Sequence, residues 1–579
     1  MKNIKYTLLF FVCMGLCFTL SDTAEAQVTE GVFPAAGSPA NPKVNASWNK
    51  YYNYQGITEL TEALADIHPD LVKRESIGKS YEGRDIWLLT VTNFDEGDAD
   101  RKPAMYIDGN IHSNEIQGTE VSLYTAWYLA EMYGNNDFIT QLLDEKTFYI
   151  VPTINPDGRE NFFNAPNTQS SPRSGMKPID NDLDGEVNED GYDDLNGDGS
   201  ISMMRRKNPR GQFVEHPEYP ELMQRVGPDQ FGEYELLGSE GIDNDSDGRI
   251  NEDGEGYYDP NRDWGWNWQP DYIQGGAHKY PFSLPENRAV MDFVMEHPNI
   301  AAAQSYHNSG GMILRGPGAA EDVGTYNRQD IQVFDALGEM GERLIPGYNY
   351  LVVYDDLYTV FGGELDWFYG IRGAFTFSNE LWASFEMFNS NDRSREDSYE
   401  FNKYLLFNDA LVEWEPYNHP QYGEVEIGGT KKNFGRTHPG FLLEQMAHRN
   451  MAFTIYHAHH TPNIVIDEIS EKDLGGGLQE VTAVITNTRM IPTHASHDLR
   501  YNISPPNYVS IDGARVEAGM IVNNRALNQT TEQERNPQKL EVDNIPGMES
   551  VTVRWIISGG NNYTITVDSQ KGGMVSKSN

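Results

Sequence analysis

Cysteine is almost missing from this 579-residue chain: Cys13 and Cys17 are the only two, and both lie in an N-terminal apolar run. Past that run no disulfide can form, so the folded part must be held by its core, and by metal ions where it binds them. Positive charge is scarce too. Lys and Arg number 44 against 87 Asp and Glu, a formal net charge of -43, which argues against nucleic acid or an anionic membrane as a partner. Long apolar stretches are confined to the start. Lys2 and Lys5 precede TLLFFVCMGLCFTL, and Ala-Glu-Ala lies just before Gln27. This is the pattern of a secretory signal peptide over residues 1–26, with a small-residue cleavage site. The run falls short of the ~20 apolar residues that a membrane span needs, and no later stretch reaches that length. No transmembrane segment is therefore expected. Leu16 stands before Cys17 where a lipoprotein signal has a small residue, which argues against a lipid anchor.

A chain of this length implies at least two domains. Residues 27–47, rich in Pro, Ala, Gly and Asn, read as a linker. From Trp48 helical and strand-like runs alternate. ITELTEALADIHPDL and EVSLYTAWYLAEMY have helical spacing; IWLLTVTNF, PAMYIDGNIH and TFYIVPTINPDG read as strands, the last ending in a turn. The expected fold over residues 48–460 is α/β, with a mixed, mostly parallel sheet flanked by helices. Such sheets gather ligands at the carboxyl ends of their strands. Residues about 165–260 break the rhythm and are dense in Asp, Asn, Glu and Gly. Strand-like runs return at IAAAQSYHN and GAFTFSNE, followed by a helical run, YEFNKYLLFNDALVEW. Residues 461–579 consist of short alternating runs, IVIDEI, VTAVITNT, VTVRWIISG and YTITVD, and predict a small all-β sandwich.

Four residues carry the chemistry. His112, Glu115, His307 and Glu380 stand in GNIHSNEIQG, QSYHNSGG and FTFSNELW. The first three can hold a zinc ion, which commonly takes three protein ligands and leaves one position open. A carboxylate nearby that is not a ligand, here Glu380, can take a proton from water. That combination suits peptide hydrolysis. His-x-x-Glu alone is a weak signal, but His112 and His307 each close a strand-like run and lead into a Gly/Asn-rich turn, where function concentrates.

With these motifs the chain resembles the zinc metallocarboxypeptidase family, of carboxypeptidase A type, over residues about 48–415. LVKRESIGKSYEGRDIWLLTV, TINPDG, DPNRDWGWNW and VFGGELDWFYGIRGAFTFSNEL occur in the family's order. The resemblance implies that His112, Glu115 and His307 are zinc ligands and Glu380 the general base. It implies that Arg262, with Asn261, grips the substrate's terminal carboxylate, as a planar guanidinium does through paired hydrogen bonds. Tyr358 takes the place of the tyrosine that closes over substrate. Arg206, or its neighbour Arg205, matches the arginine that polarises the scissile carbonyl. Leu365 corresponds to a side-chain pocket position and suggests apolar or aromatic C-terminal residues. Each has a plainer alternative: Arg262 paired with Asp259 or Asp263, Tyr358 in a core, Glu380 solvated at a strand end. The chain also departs from the pattern. Asn114 stands where many digestive members have arginine, and Ser378 and Asn379 separate FTF from Glu380.

The third departure is the acidic insertion. IDNDLDGEVNEDG carries Asp180, Asp182 and Asp184; IDNDSDGRINEDG carries Asp243, Asp245 and Asp247; DLNGDGSIS carries Asp194, Asn196 and Asp198. In each, oxygen ligands alternate, Gly holds position six, and position eight is apolar (Val187, Ile250, Ile201). This resembles an EF-hand calcium loop. The usual twelfth-position Glu is missing, with Asp190 and Asp253 at position eleven the nearest substitutes. The expectation is a secreted, calcium-stabilised zinc carboxypeptidase acting on peptide or protein C-termini. It lacks space between signal and catalytic domain for an inhibitory pro-domain. A cell-wall peptide amidase on the same scaffold and a non-catalytic calcium-dependent surface protein are the competing readings.

Overall fold

A computed structural model describes residues 35–166, 173–180, 183–391, 395–431, 436–560 and 562–579. The expected signal peptide, much of the linker and Asp182 lie outside them. The chain falls into two units, residues 1–43 and 44–579. Of the first, residues 35–43 are turns and bends. The second packs from Val44 onward, earlier than Trp48: Val44 is buried, and its N–H donates to Glu131 Oε1 at 2.7 Å. Among the described residues no helix is long and apolar enough to cross a membrane.

An eight-stranded mixed sheet organises this unit. In spatial order its strands are Val72–Lys79, Asp85–Val91, Thr147–Val151, Ala104–Gly109, Ile300–Asn308, Phe375–Leu381, Met312–Arg315 and Asn349–Val352. The middle four run parallel. They carry near-continuous apolar runs because both faces are covered. Met105, Ile107, Phe148 and Ile150 pack into one core with helices Gln117–Met132 and Gly440–His459. Ala104, Tyr106, Tyr149 and Val151 pack into another with helix Pro285–Glu296. The alternation is the period of two that a strand imposes.

Two sequence expectations change. TINPDG is not a turn after a strand but the start of helix Pro156–Asn164. Asn155 caps it, accepting from the Gly158 N–H at 2.9 Å, and Pro156 fills the first position, where a missing N–H costs nothing. YEFNKYLLFNDALVEW is helical only through Leu405 (helix Arg395–Leu405); Phe407 and Asn408 turn left-handed, and strand Leu411–His419 follows. That strand has a role in the insertion. With Gly423–Thr430 it pairs onto Met203–Lys207, Tyr234–Ser239, Phe213–Glu215 and Met223–Arg225 as a six-stranded antiparallel sheet over Met204, Val425 and Ile427. The insertion is thus a folded β-unit, completed by chain from beyond Glu380.

The C-terminal region is all-β. A five-stranded and a four-stranded antiparallel sheet share one core that includes Val481, Trp555, Val509 and Ile565. Its first strand is Ile464–Gly475 and its last Gly573–Ser578.

Candidate active site

The site forms where three parallel strands end. Strand Ala104–Gly109 stops at Asn110, which takes a left-handed turn (φ 56°). The chain then curls, so that the Glu115 N–H donates to the His112 carbonyl at 3.2 Å. This local turn puts both side chains on one side. Gly109 pairs with Tyr306 across the neighbouring strand, which brings His307 alongside. Glu380 lies opposite His307 on the next strand. His112, Glu115 and His307 are all buried.

Their donor atoms converge. Glu115 Oε2 lies 2.9 Å from His112 Nδ1 and 3.0 Å from His307 Nδ1, and the two Nδ1 atoms are 3.2 Å apart. A tetrahedral ion with bonds near 2.1 Å wants donors ~3.4 Å apart, so two imidazoles and a carboxylate in this triangle fit zinc. The outer ring nitrogens are engaged elsewhere. His112 Nε2 meets Asp259 Oδ1 at 2.9 Å; His307 Nε2 meets Ser305 Oγ at 3.3 Å and Asn261 Nδ2 at 3.4 Å. Such partners fix the tautomer and leave the inner nitrogen's lone pair for the metal. Ser305 Oγ in turn donates toward Asp108 Oδ1 at 2.7 Å, with Glu364 Oε2 at 3.2 Å.

Charge in this pocket is strongly coupled. Burial opposes ionisation of Glu115, yet His112, His307 and Arg173 hold its carboxyl well below the usual range. Asp259 is likewise held low against burial, by Arg262 and then by His112 and Arg173. Glu380 goes the other way: burial, then the charge of Glu115, push it up to about 7.

A buried arginine pins the metal loop. Arg159, just after Asn-Pro-Asp-Gly, is fully buried. Its guanidinium donates to Asn110 Oδ1 at 3.0 Å, the Ile116 carbonyl at 2.8 Å, Thr119 Oγ1 at 3.0 Å and Glu120 Oε1 at 2.7 Å. Asn155 Nδ2 donates to the Ile111 carbonyl at 3.1 Å, and a Cβ on Gly158 would stand 2.5 Å from Ser113 Cβ. The motif therefore clamps the turn that carries His112 and Glu115.

Of the residues expected to bind substrate, Asn261 sits at the site and its Oδ1 accepts from the Glu364 N–H at 2.8 Å, capping helix Glu364–Arg372. Arg262 is buried beside it; its Nη1 donates to the Asn261 carbonyl at 2.7 Å and lies 3.7 Å from Asp259 Oδ2. Tyr358 is 55 % exposed and close enough to Arg173 to act on its charge. Leu365 is half-buried on the capped helix.

Arg206 and Arg205 are elsewhere. Both lie on strand Met203–Lys207 of the six-stranded sheet. Arg206 pairs with Glu235 at 3.0 Å; Arg205 pairs with Glu215 and Glu426 between the rings of Tyr234 and Trp414. Neither makes a hydrogen bond or ion pair with His112, Glu115, His307 or Glu380. Two other arginines do reach the metal ligands. Arg173 Nη2 lies 3.0 Å from His112 Nε2, Arg173 and Arg436 each lie 3.6 Å from Glu115 Oε1, and both act on the charge of Glu380. Their positions in sequence, within an insertion and far past the last motif, give no sign of this. Asp259 is equally hidden: it adjoins Asn261-Arg262 but meets a histidine 147 residues away.

A cleft of about 820 Å³ opens here. Asn114, Arg173 and Arg436 line it with Asn188, Gly191 and Gly254 from the acidic loops. Those loops have one repeated geometry. The first aspartate accepts from the N–H groups of positions four and six: Asp180 from Leu183 and Gly185, Asp194 from Gly197 and Gly199, Asp243 from Ser246 and Gly248. The fifth residue accepts two places on, as Asp184, Asp198 and Asp247 do from Glu186, Ser200 and Arg249. Asn196 and Asp245 accept from Asp198 and Asp247 at 3.0 Å. Gly185, Gly199 and Gly248 all have positive φ, the reason for glycine at position six.

Comparison with known proteins agrees with this geometry. Residues 57–394 match the family model described as zinc carboxypeptidase, and residues 463–579 match a domain of unknown function. A zinc carboxypeptidase of Saccharothrix mutabilis subsp. capreolus is 34% identical over 116 residues, 20% of this chain and 26% of that protein. An inactive metallocarboxypeptidase (ECM14) of Ajellomyces capsulatus is 34% identical over 126 residues, 22% of this chain and 21% of that one. The aligned stretches thus span about a quarter or less of these relatives. The solved structure of carboxypeptidase A from Helicoverpa armigera has 18% identity and a TM-score of 0.40, covering 72% of this chain and 75% of that one. The matched family model spans more than half of the 579 residues, and the chain belongs to the zinc carboxypeptidase family.

Proposed function

We propose that this chain is an active, exported metallocarboxypeptidase that removes the last residue from peptides and proteins. The observation that carries this reading is Glu380: an acidic side chain paired in register with His307, beside three converged donors but outside them. Held by His112, Glu115 and His307, zinc supplies a Lewis acid for the scissile carbonyl and makes water a nucleophile near neutral pH.

The chain's own groups supply the rest. Asp259 and Ser305 hold the two imidazoles with Nδ1 inward. Glu380 takes the proton from the attacking water and passes it to the leaving amine. Its raised affinity for a proton suits both steps, since an acid–base group works best with a pKa near the operating pH. Arg173 and Arg436 stand where the carbonyl oxygen gains negative charge, the role that the resemblance implied for Arg206. Arg262 and Asn261 bind the terminal carboxylate, and Tyr358, exposed at the cleft, closes over it. Leu365 favours an apolar C-terminal side chain. Export rests on the signal-like residues 1–26, and calcium on the Asp-rich loops.

The test is release of the last amino acid from blocked dipeptides ending in Phe, Leu, Lys and Glu, with zinc and calcium supplied. Wild type should release it, Phe and Leu fastest, and Glu380→Gln should not while still binding zinc. No release by wild type that holds one zinc per chain would overturn the reading.

A further inference from the structure

The two longer acidic loops meet. Asp190 and Asp253, at position eleven of each, form an antiparallel bridge, the Asp190 N–H donating to the Asp253 carbonyl at 3.3 Å. Their side chains cross over reciprocally. Asp253 Oδ2 accepts from the Asn188 N–H at 2.8 Å, and Asp190 Oδ2 accepts from the Asn251 N–H at 2.9 Å. The crossing collects carboxylates from both loops. Asp184 and Glu189 of the first converge with Asp245 of the second; Asp190 of the first converges with Asp245 and Glu252 of the second. In each group the candidate donor atoms lie within 4.8 Å of one another, and Asp245 belongs to both.

A separate observation points to a ligand. Both carboxylate oxygens of Glu189, and both of Glu252, are closed off from solvent and accept no hydrogen bond. A polar group that has lost its water and gained no partner is costly, and here it faces other carboxylates. A hard cation removes both penalties, and calcium takes six to eight oxygens in flexible geometry. The donors are all oxygen, with no imidazole or thiolate to favour a transition metal.

We propose that the junction of the two loops is a two-calcium centre, bridged by Asp245 and closed by Glu189 and Glu252, and that it sets one wall of the substrate cleft. The loops are thus halves of one site rather than independent calcium loops. Asn188 and Gly191, which flank Glu189 and Asp190, line the cleft, as does Gly254, next to Asp253. Asp259, five residues further on, lines it too and holds His112. The statement about the cleft rests on the carboxypeptidase reading; the calcium centre does not.

The experiment uses the full-length zinc-loaded chain, freed of calcium. Calcium uptake is measured by calorimetry for wild type, for Glu189→Gln/Glu252→Gln, and for Glu186→Gln, an exposed position in the same loop that carries the same charge change. Terbium luminescence of wild type, excited through Tyr257 beside Glu252 and Asp253, is an independent readout that needs no variant. Zinc content is followed throughout. The double variant should bind two fewer calcium ions, or bind them at least about tenfold more weakly, while Glu186→Gln matches wild type. Calcium should quench the terbium signal by competition, and should lower KM for blocked dipeptides while leaving kcat unchanged. Equal uptake by double variant and wild type, or no uptake and no terbium signal up to about 10 mM, overturns the centre whether or not the chain cleaves peptides. Calcium binding lost as expected, with KM unmoved, overturns its role in the cleft.

Discussion

At Glu380, burial and the charge of Glu115 favour the protonated form, so protonation governs turnover. A general base acts only when ionised, so kcat/KM should rise with pH along its acid limb. A cation held by His112, Glu115 and His307 offsets the Glu115 repulsion and lowers the Glu380 value. The limb should therefore have its midpoint above the ordinary 4.5 and below about 7. A pH–rate profile measures it, and Glu380→Gln should abolish the limb together with ~10²–10⁴-fold of rate. The arginines give a sharper comparison. Arg436→Ala should lower kcat by ~10²–10³, as loss of one charge-stabilising donor does, whereas Arg206→Ala should leave kcat unchanged. Steady-state kinetics of the two variants side by side decides between the two positions. The metal ligands were legible because two of them lie three residues apart at a strand end. Arg173, Arg436 and Asp259 were not, because long-range folding alone brings them to His112 and Glu115.

Among the elements, the turn carrying His112 and Glu115 depends on its supports. Arg159 is the chief one. Replacing it with Met would leave Glu120 buried without its cation, a loss of ~3–5 kcal/mol. Denaturant unfolding should show that loss, and zinc titration should show weakened affinity as Asn110 and the Ile116 carbonyl lose their donor. Helix Gln117–Met132 must also approach the sheet closely. A Cβ on Gly118 would stand 2.9 Å from the Tyr306 carbonyl oxygen and 3.1 Å from Gly109 Cα, so Gly118→Ala should cost ~1–3 kcal/mol in the same assay. Helices and strands with clean periodicity, such as Tyr54–Ile67 and Ile300–Asn308, were readable from their apolar spacing. YEFNKYLLFNDALVEW was not read past Leu405, because its apolar residues suit both helix and strand. Pairing with Gly423–Thr430 then makes its second half a strand.

Over the whole molecule, the C-terminal β-region packs as part of the unit that holds the active site. Ile491 and Ala495 lie in the catalytic core itself. Ser496 N–H donates to Asp330 Oδ2 at 2.7 Å, and His497 Nε2 meets the Gly370 carbonyl at 3.0 Å. Buried Lys571 pairs with Asp498 at 2.8 Å and also donates to the Arg372 carbonyl. Deleting residues 462–579 should therefore lower the thermal midpoint of the remaining chain, not merely remove an accessory module. Lys571→Ala, which strands Asp498, should cost ~3–5 kcal/mol, read from chemical denaturation. A truncated chain that melts at the full-length temperature would show that the β-region contributes nothing to the fold.

The sequence by itself determined the export-like start, the α/β body with its all-β end, the three donors with Glu380, and the repeated acidic loops. These are local matters: apolar period, motif spacing, and residue types whose chemistry has few other uses. Only the tertiary structure decided which arginines face the metal ligands, how Asn-Pro-Asp-Gly and Arg159 clamp the ligand turn, and that the insertion is a sheet completed from beyond Glu380. It also decided that the two acidic loops interlock through Asp190 and Asp253. Contacts of this kind join residues tens to hundreds of positions apart, and their geometry exists only once the sheets and helices have packed.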